Sequence, residues 1–398
     1  MKIAIVTTYP PSKGSLNEYG FHFTRGLLAN AAVDEVVLLT DEPESPVGQL
    51  GDRLRSVPAW SFGSLRNTPR LVAAVRRERP DAVIFNIQFA TFGSGRVSAA
   101  LGLLSVAAVR ATGVPTIAIL HNPMDTIDLT SAGFKMGGLM ERIVRLSGRM
   151  VTRAILMADL VAVTIPTYVD LLAERYGAKN VVLSPHGSFE MGEHLSHETV
   201  AGTPGGRRIL AFGKFGTYKR VEVLFEAQRI LHAANPETRV IIAGQDSPNA
   251  PGYLAEMAAR YADVPGIEFT GYVAEEDVAR VFRASDVVVF PYTSTTGSSG
   301  VLHQAGEHAC AVVLPDLGDL AELVREEGYQ AEIFAATDPE DLARAIERVL
   351  SDTAYKANMG ATNRAVSAGL PIADVADWHL IHIDELRRAK SRAVEAFA

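Results

Sequence analysis

Ile209-Leu-Ala-Phe-Gly-Lys-Phe-Gly-Thr-Tyr-Lys-Arg-Val-Glu-Val-Leu-Phe-Glu-Ala227 is the stretch whose reading decides the fold. The apolar run Ile209–Phe212 predicts a buried strand. A loop with Gly213 and Gly216 follows, and then a helix with apolar residues at helical spacing. Lys214 and Lys219 therefore fall at or just past a strand end, beside a helix N-terminus. In an open α/β sheet that edge is where ligands bind. Two flexible ammonium groups there suit a diphosphate, although a pair of solvated surface lysines would read the same way.

The same alternation runs through the chain and implies parallel β-α-β units. In the first half, strands are predicted at Lys2–Thr7, Glu35–Leu39, Ala82–Asn86, Pro115–Leu120, Leu160–Thr164 and Asn180–Ser184. Helices are predicted at Asn17–Ala29, Val97–Thr112 and Gly138–Met157. Periodicity lapses near 190–206 and then restarts from Ile209. Two doubly wound, Rossmann-like domains are expected, over 1–190 and 200–373. A late amphipathic helix, about 374–398, would pack on either surface, with a return to the first domain as one option.

The 398 residues exceed one typical core. Apolar residues make up 47% and charged residues 21%, as in an ordinary globular protein. The single cysteine, Cys310, rules out an internal disulfide framework and fits a cytoplasmic setting. No signal-peptide core or membrane-spanning run is read from the sequence. The net charge is −8 and uneven: residues 1–190 carry 19 Lys+Arg against 16 Asp+Glu, the remainder 19 against 30. An acidic second half speaks against nucleic-acid binding. On the predicted helix 138–157, Arg142, Arg145, Arg149 and Arg153 share one face, with Ile143, Val144 and Leu146 elsewhere. That face reads either as solvated or as a peripheral contact with an anionic membrane surface.

A second informative segment is Phe290-Pro-Tyr-Thr-Ser-Thr-Thr-Gly-Ser-Ser-Gly-Val-Leu-His-Gln-Ala-Gly-Glu-His-Ala-Cys-Ala-Val-Val313. A strand ends, a Gly/Ser/Thr-rich loop follows, and a helix begins. Free N–H groups at such a helix start favour an anion. A plain connector with Ser or Thr as N-cap is the other reading. No Asp-x-Asp ends a strand, no zinc-type spacing occurs, and the P-loop pattern is absent.

With these segments the chain resembles the retaining glycosyltransferases of family 4, which have GT-B architecture: two Rossmann-like domains facing an interdomain cleft. Gly213, Lys214 and Lys219 match the Gly-Arg/Lys-(x)4-Lys motif. Ile267-Glu-Phe-Thr-Gly-Tyr-Val-Ala-Glu-Glu-Asp277, Ala284-Ser-Asp-Val-Val-Val-Phe-Pro291 and Asp338-Pro-Glu-Asp-Leu-Ala343 match further elements in order. So do Lys13-Gly-Ser-Leu16, Leu120-His-Asn122 and Pro185-His-Gly187. One departure is plain. The family's two glutamates, eight positions apart, align with Thr296 and Gln304. Gln304 keeps hydrogen-bonding capacity toward a ribose hydroxyl, whereas Thr296 cannot replace a carboxylate at the donor sugar. Glu307 lies one turn further along.

The resemblance implies a role for each matched residue. Lys214 and Lys219 would neutralise the diphosphate leaving group of a nucleotide-sugar donor, such as a UDP- or GDP-sugar. N–H groups of Ser299, Gly300 and Val301 would cap the same phosphates, with Gly14 and Ser15 closing over them from the other domain. Tyr272 and Val273, with Gln304, would hold the nucleoside. His121 would touch the transferred sugar, as would Thr296 and Ser298, and His186 would be structural. The acceptor would be a glycan, lipid or small molecule shaped by the loop Pro10–Tyr19. Neither a metal nor another cofactor is expected. A non-catalytic nucleotide-binding protein on the same scaffold is the alternative; an epimerase of related fold would need cleft carboxylates that this segment lacks.

Overall fold

The structure, a computed structural model, describes residues 1–395 except 13, 15, 44–46, 124–137, 190–205, 248–249 and 295–296; the side chains of 138–145, 275 and 393–395 are left aside. The chain divides into two units, one gathering Met1–Ile127, Met136–His186 and Ile372–Ala398, the other built on Gly187–Pro371.

The first unit runs β1 (Lys2–Val6), α1 (Asn17–Ala29), β2 (Glu35–Glu42), β3 (Gly48–Gly51), β4 (Leu54–Ser61), α2 (Asn67–Glu78) and β5 (Ala82–Ile87). It continues through α3 (Arg96–Leu103), α4 (Ser105–Arg110), β6 (Thr116–Leu120), α5 (Gly138–Ile155), β7 (Leu160–Val163), α6 (Pro166–Tyr176) and β8 (Val181–Leu183). The strands form one sheet in the order β3-β4-β2-β1-β5-β6-β7-β8, parallel except for the antiparallel edge strand β3. Ile3–Val6 and Val83–Phe85 have no exposed surface, as strands covered by helices on both faces require.

The second unit runs β9 (Arg208–Phe215), α7 (Glu222–Ala234), β10 (Arg239–Asp246), α8 (Tyr253–Arg260), β11 (Ile267–Gly271), α9 (Glu275–Arg283) and β12 (Val287–Val289). Then come α10 (Gly300–Glu307), β13 (Val312–Pro315), α11 (Gly318–Glu327), β14 (Glu332–Phe334), α12 (Pro339–Ser351) and α13 (Thr353–Ala368). Its sheet is parallel throughout, in the order β11-β10-β9-β12-β13-β14. The core packs Ile209, Ala211, Val240, Val287 and Val313 against Leu224, Phe225, Ile346 and Val349.

The last helix, α14 (Ile372–Glu395), belongs to the first unit. Asn30 donates to Asp377 at 2.7 Å, Ser184 bonds His379 at 3.1 Å, and Arg387 pairs with Asp81 at 2.8 Å. A Cβ on Gly26 would stand 3.0 Å from Ala376 Cβ.

Several expectations need correction. In the first unit β3, β4, α2 and α6 have no counterpart among the elements expected from the sequence, and in the second β14 and α13 lie beyond them. The single helix expected over Val97–Thr112 is two, α3 and α4, meeting at Leu104. Lys214 is not in a loop, because β9 continues through it to Phe215 and pairs it with Gln245. Leu146 does not turn away from the arginine face: it is 60% exposed, as Arg149 and Arg153 are exposed. The side chains of Arg142 and Arg145 fall outside the described residues.

Candidate active site

In each sheet the strand order reverses once, between β1 and β5 in the first unit and between β9 and β12 in the second. The carboxyl side of such a reversal leaves a crevice, because the connecting helices depart to opposite faces. Lys214, Lys219 and the start of α10 follow the two strands at the second reversal, whereas Tyr272 and Val273 follow the edge strand β11.

In the second unit, the segment after β9 meets the segment after β12. Lys219 and Tyr292 form an antiparallel bridge. Arg220 N–H donates to the Pro291 carbonyl at 2.8 Å, and Thr293 N–H to the Tyr218 carbonyl at 2.8 Å. Lys219 is only 8% exposed. Its ammonium lies 3.5 Å from the Phe212 carbonyl and 5.0 Å from the centre of the Tyr292 ring. A buried cation needs such neighbours, because leaving water is costly for a charge. Gly213 makes the room: at φ 128° it is open on the side where a Cβ would stand 2.6 Å from Lys219 Nζ. Lys214, the next residue, is the last but one of the same strand.

Past Tyr292 the chain enters α10. Ser299 is its N-cap residue but supplies no side-chain cap. Its hydroxyl bonds the Tyr292 hydroxyl at 3.2 Å instead. The alternative reading, a Ser or Thr side-chain cap, is not what the structure has, and the first N–H groups of α10, at Gly300 and Val301, have no side-chain cap. The Ser298 hydroxyl is enclosed and lacks a hydrogen-bond partner among the described residues. Uncapped N–H groups at a helix start suit an anion, and the Lys219–Tyr292 bridge ties a cation to the segment that leads into them. Thr296 lies outside the described residues.

The remaining second-unit candidates are spread along the same edge. Tyr272 follows β11 and is 61% exposed, with Val273 next to it. Gln304 is buried in the second turn of α10. Glu307, also buried, accepts a hydrogen bond from Phe189 N–H, so its carboxylate faces the segment entering the unit rather than the start of α10.

In the first unit, His121 directly follows β6 and is 7% exposed. Its Nε2 lies 2.8 Å from Asn86 Oδ1 at the end of β5. Tyr19 of α1 packs edge-on at 4.5 Å between ring centres, and His186 lies 6.0 Å away. Burial, with the neighbouring His186, pushes the His121 imidazole down to about 3, so it is neutral at physiological pH. His186 packs on Tyr19 at 5.0 Å. Gly14 N–H donates to Ser12 Oγ at 3.2 Å, and Ser12 donates to Asp41 at 2.9 Å. A side chain on Gly14 would stand 2.5 Å from Thr8 Cγ2. Lys13 and Ser15 lie outside the described residues. Asn86 was not singled out from the sequence; an Asn ending an apolar strand is the only signal it gives.

Among the described residues, no three His, Cys, Asp or Glu side chains gather as metal ligands, and no helix is long and apolar enough to cross a membrane.

Two family profiles match this chain. The one described as "Glycosyl transferase 4-like domain" matches residues 22–187, and "Glycosyl transferases group 1" matches residues 206–352. The chain belongs to the family-4 type of GT-B glycosyltransferases. A D-inositol 3-phosphate glycosyltransferase of Stackebrandtia nassauensis is 28% identical over 219 residues, which is 51% of this chain and only 49% of that protein. The protein of the same name from Nocardiopsis dassonvillei is 25% identical over 386 residues, 89% of this chain and 86% of its own length. Among solved structures, sucrose-phosphate synthase from Thermosynechococcus elongatus superposes with a TM-score of 0.74 at 18% identity, covering 98% of this chain and 100% of that one. Anabaena HepE in complex with UDP and glucose gives a TM-score of 0.68 at 16% identity, with coverages of 96% and 99%. At these identities the structural likeness speaks to the fold alone.

Proposed function

We propose that the protein transfers a sugar from a nucleotide-diphosphate-sugar donor to an acceptor hydroxyl, with retention of anomeric configuration and without a metal ion. The observation that supports this reading is the bridge from Lys219 to Tyr292, seven residues before the uncapped start of α10, at the strand-order reversal of the second sheet, with Lys214 on the adjoining strand β9. As the sugar–oxygen bond breaks, negative charge grows on the leaving diphosphate. Preorganised cations and N–H groups at that point lower the barrier more than they stabilise the bound donor. They supply the positive charge that a divalent ion would otherwise bring.

The other roles follow the family resemblance. Ser299, Gly300 and Val301 would bind the diphosphate, as would Gly14 and Ser15. Tyr272 and Val273 bracket the nucleobase, and Gln304 bonds the ribose. His121, Thr296 and Ser298 would contact the transferred sugar. UDP in the Anabaena structure supports a uridine donor as the first to try. Retention fits a front-face route in which the departing phosphate takes the acceptor's proton. The alternative, a non-catalytic nucleotide-binding protein, draws on Thr296 and Gln304 at the paired-glutamate positions. Lys219 weighs against it, because a buried ammonium serves no purpose at an idle donor site.

A peripheral membrane contact also has support: Leu146 and Met150 on α5 are 60% and 63% exposed beside exposed Arg149 and Arg153. Co-sedimentation with anionic liposomes at low salt tests it, and no pelleting ends it. Transfer itself is tested by supplying UDP- and GDP-sugars with candidate acceptors and identifying products by mass spectrometry. The proposal expects a glycosylated product with at least one donor. Binding of nucleotide with no release or product from any donor would favour the non-catalytic alternative.

A further inference from the structure

The hydrogen bonds around Asn86 run in one direction. Thr7 Oγ1 donates its proton to the Thr8 carbonyl at 2.9 Å. The same oxygen lies 2.9 Å from the Asn86 side-chain amide, so toward Asn86 it is an acceptor. The Leu16 carbonyl, 3.3 Å from the same Asn86 nitrogen, is an acceptor too. Both neighbours thus require Nδ2 on that side and Oδ1 on the other. Oδ1 faces His121 Nε2 at 2.8 Å, and only a protonated Nε2 can donate to it. His121 makes no second hydrogen bond among the described residues, and Nδ1 is not among the enclosed atoms. In the neutral ring, Nδ1 therefore carries a free lone pair.

The packing supports this directional chain. Asn86 is 1% exposed, and Gly20 leaves the space that Thr7 needs, since a Cβ there would stand 2.4 Å from Thr7 Oγ1. Among the described residues, the groups facing the His121 ring are Tyr19 from α1, Asn86 from β5 and His186 beyond β8. None of the three is a carboxylate that would draw a second proton onto the ring.

We infer that Asn86 is a positioning residue: it holds His121 as the neutral Nε2–H tautomer, so that Nδ1 accepts a hydrogen bond from a sugar hydroxyl and turns away a carboxylate. The inference rests on the reading of His121 as a contact to the transferred sugar, and it adds a selection rule to that reading. Donors presenting a hydroxyl at this point are accepted, and uronic-acid donors are disfavoured, because a lone pair repels a carboxylate oxygen. Asn86→Asp reverses the rule. It places a negative charge 2.8 Å from Nε2, at the position of Oδ1, and favours the imidazolium.

The test uses the full chain with 15N-labelled histidine, with the His121 signals identified by their loss in His121→Ala. In the wild type the His121 signals should be those of the neutral Nε2–H tautomer from about pH 5.5 to about 8, because a buried ring without an ionic partner resists protonation. In Asn86→Asp they should become imidazolium signals over part of that range, and in Asn86→Ala the single tautomer should be lost. Wild-type signals unchanged in both variants, or an Nδ1–H tautomer in the wild type, would overturn the assignment of Asn86. Nucleoside diphosphate release from UDP-glucose and UDP-glucuronate gives the second readout. Asn86→Asp should move the ratio of the two kcat/KM values at least about tenfold toward glucuronate at pH 6, and an unmoved ratio sinks the selection rule. If the imidazole signals behave as expected but the wild type turns over no donor, the functional reading fails while the positioning role of Asn86 stands.

Discussion

Lys219 and Tyr292 are joined twice, by an antiparallel backbone bridge and by the ammonium lying 5.0 Å from the centre of the phenol ring. The pair locks the end of the β9 segment to the approach to α10, so cation and helix start are set by one contact. Tyr292 also reaches the Ser299 hydroxyl at 3.2 Å. Tyr292→Phe keeps the ring and loses that bond, whereas Tyr292→Leu loses both. A cation–π contact of about 1–2 kcal/mol at a desolvated site predicts roughly a tenfold fall in turnover for Tyr292→Leu and a much smaller one for Tyr292→Phe. Steady-state nucleotide release from both variants checks the order.

Gly213→Ala should damage the site without touching either lysine. The residue has φ 128°, and a Cβ would stand 2.6 Å from Lys219 Nζ. The strained backbone is expected to cost about 1–3 kcal/mol, read as a lower denaturant midpoint. Displacement of Lys219 should lower turnover as well. Gly177→Ala, at φ 67° with open space around the Cβ and beyond the end of α6, is the control: it should lose stability alone.

The two segments that carry chemistry were legible because Gly213, Gly216 and the Ser/Gly run at 297–300 punctuate apolar strands. Their adjacency was not legible, since the strand order β10-β9-β12 is set by packing of the whole sheet. Gly213 read as a strand breaker, yet the strand continues, because Gly213 pairs with Gly244, where a Cβ would stand 1.8 Å from the Gly213 carbonyl oxygen. Two facing glycines allow a close approach that neither signals alone. β4 was hidden by Pro58, which normally argues against a strand. Its outer neighbour β3 reaches only Leu54–Ser56, so no ladder bond is lost at Pro58. Asn86 was silent because its meaning lies in Thr7, Leu16 and His121, which the chain brings together only in space.

Glu327, at the end of α11, gives a pH-dependent prediction. Burial pushes its carboxyl from 4.5 up to about 8. The folded state therefore favours the protonated form. The group's contribution is fully present below about pH 4.5 and is lost as pH rises toward about 8, where the unfolded chain gains from ionising. Glu327→Gln removes this term. Thermal melts from pH 5 to pH 8 should show the wild type falling behind the variant as pH rises; parallel curves would contradict it.

Glu307 should prove structural rather than catalytic. It accepts from Phe189 N–H, and Arg364 donates to its backbone carbonyl at 3.0 Å. Glu307→Ala leaves a buried N–H without its acceptor, at about 1–3 kcal/mol, while Glu307→Gln retains an acceptor and should be milder. Urea midpoints of the two variants measure the difference.

The most direct measurement is release of nucleoside diphosphate from UDP-glucose and GDP-mannose, with an acceptor panel, by the wild type and by the Lys214→Ala/Lys219→Ala double variant. The account predicts release by the wild type with at least one donor. It also predicts a loss of at least about 100-fold in the double variant, the scale of removing preorganised charge from a leaving group, with the fold retained. Release by the double variant at the wild-type rate, or none by the wild type with any donor, would contradict it.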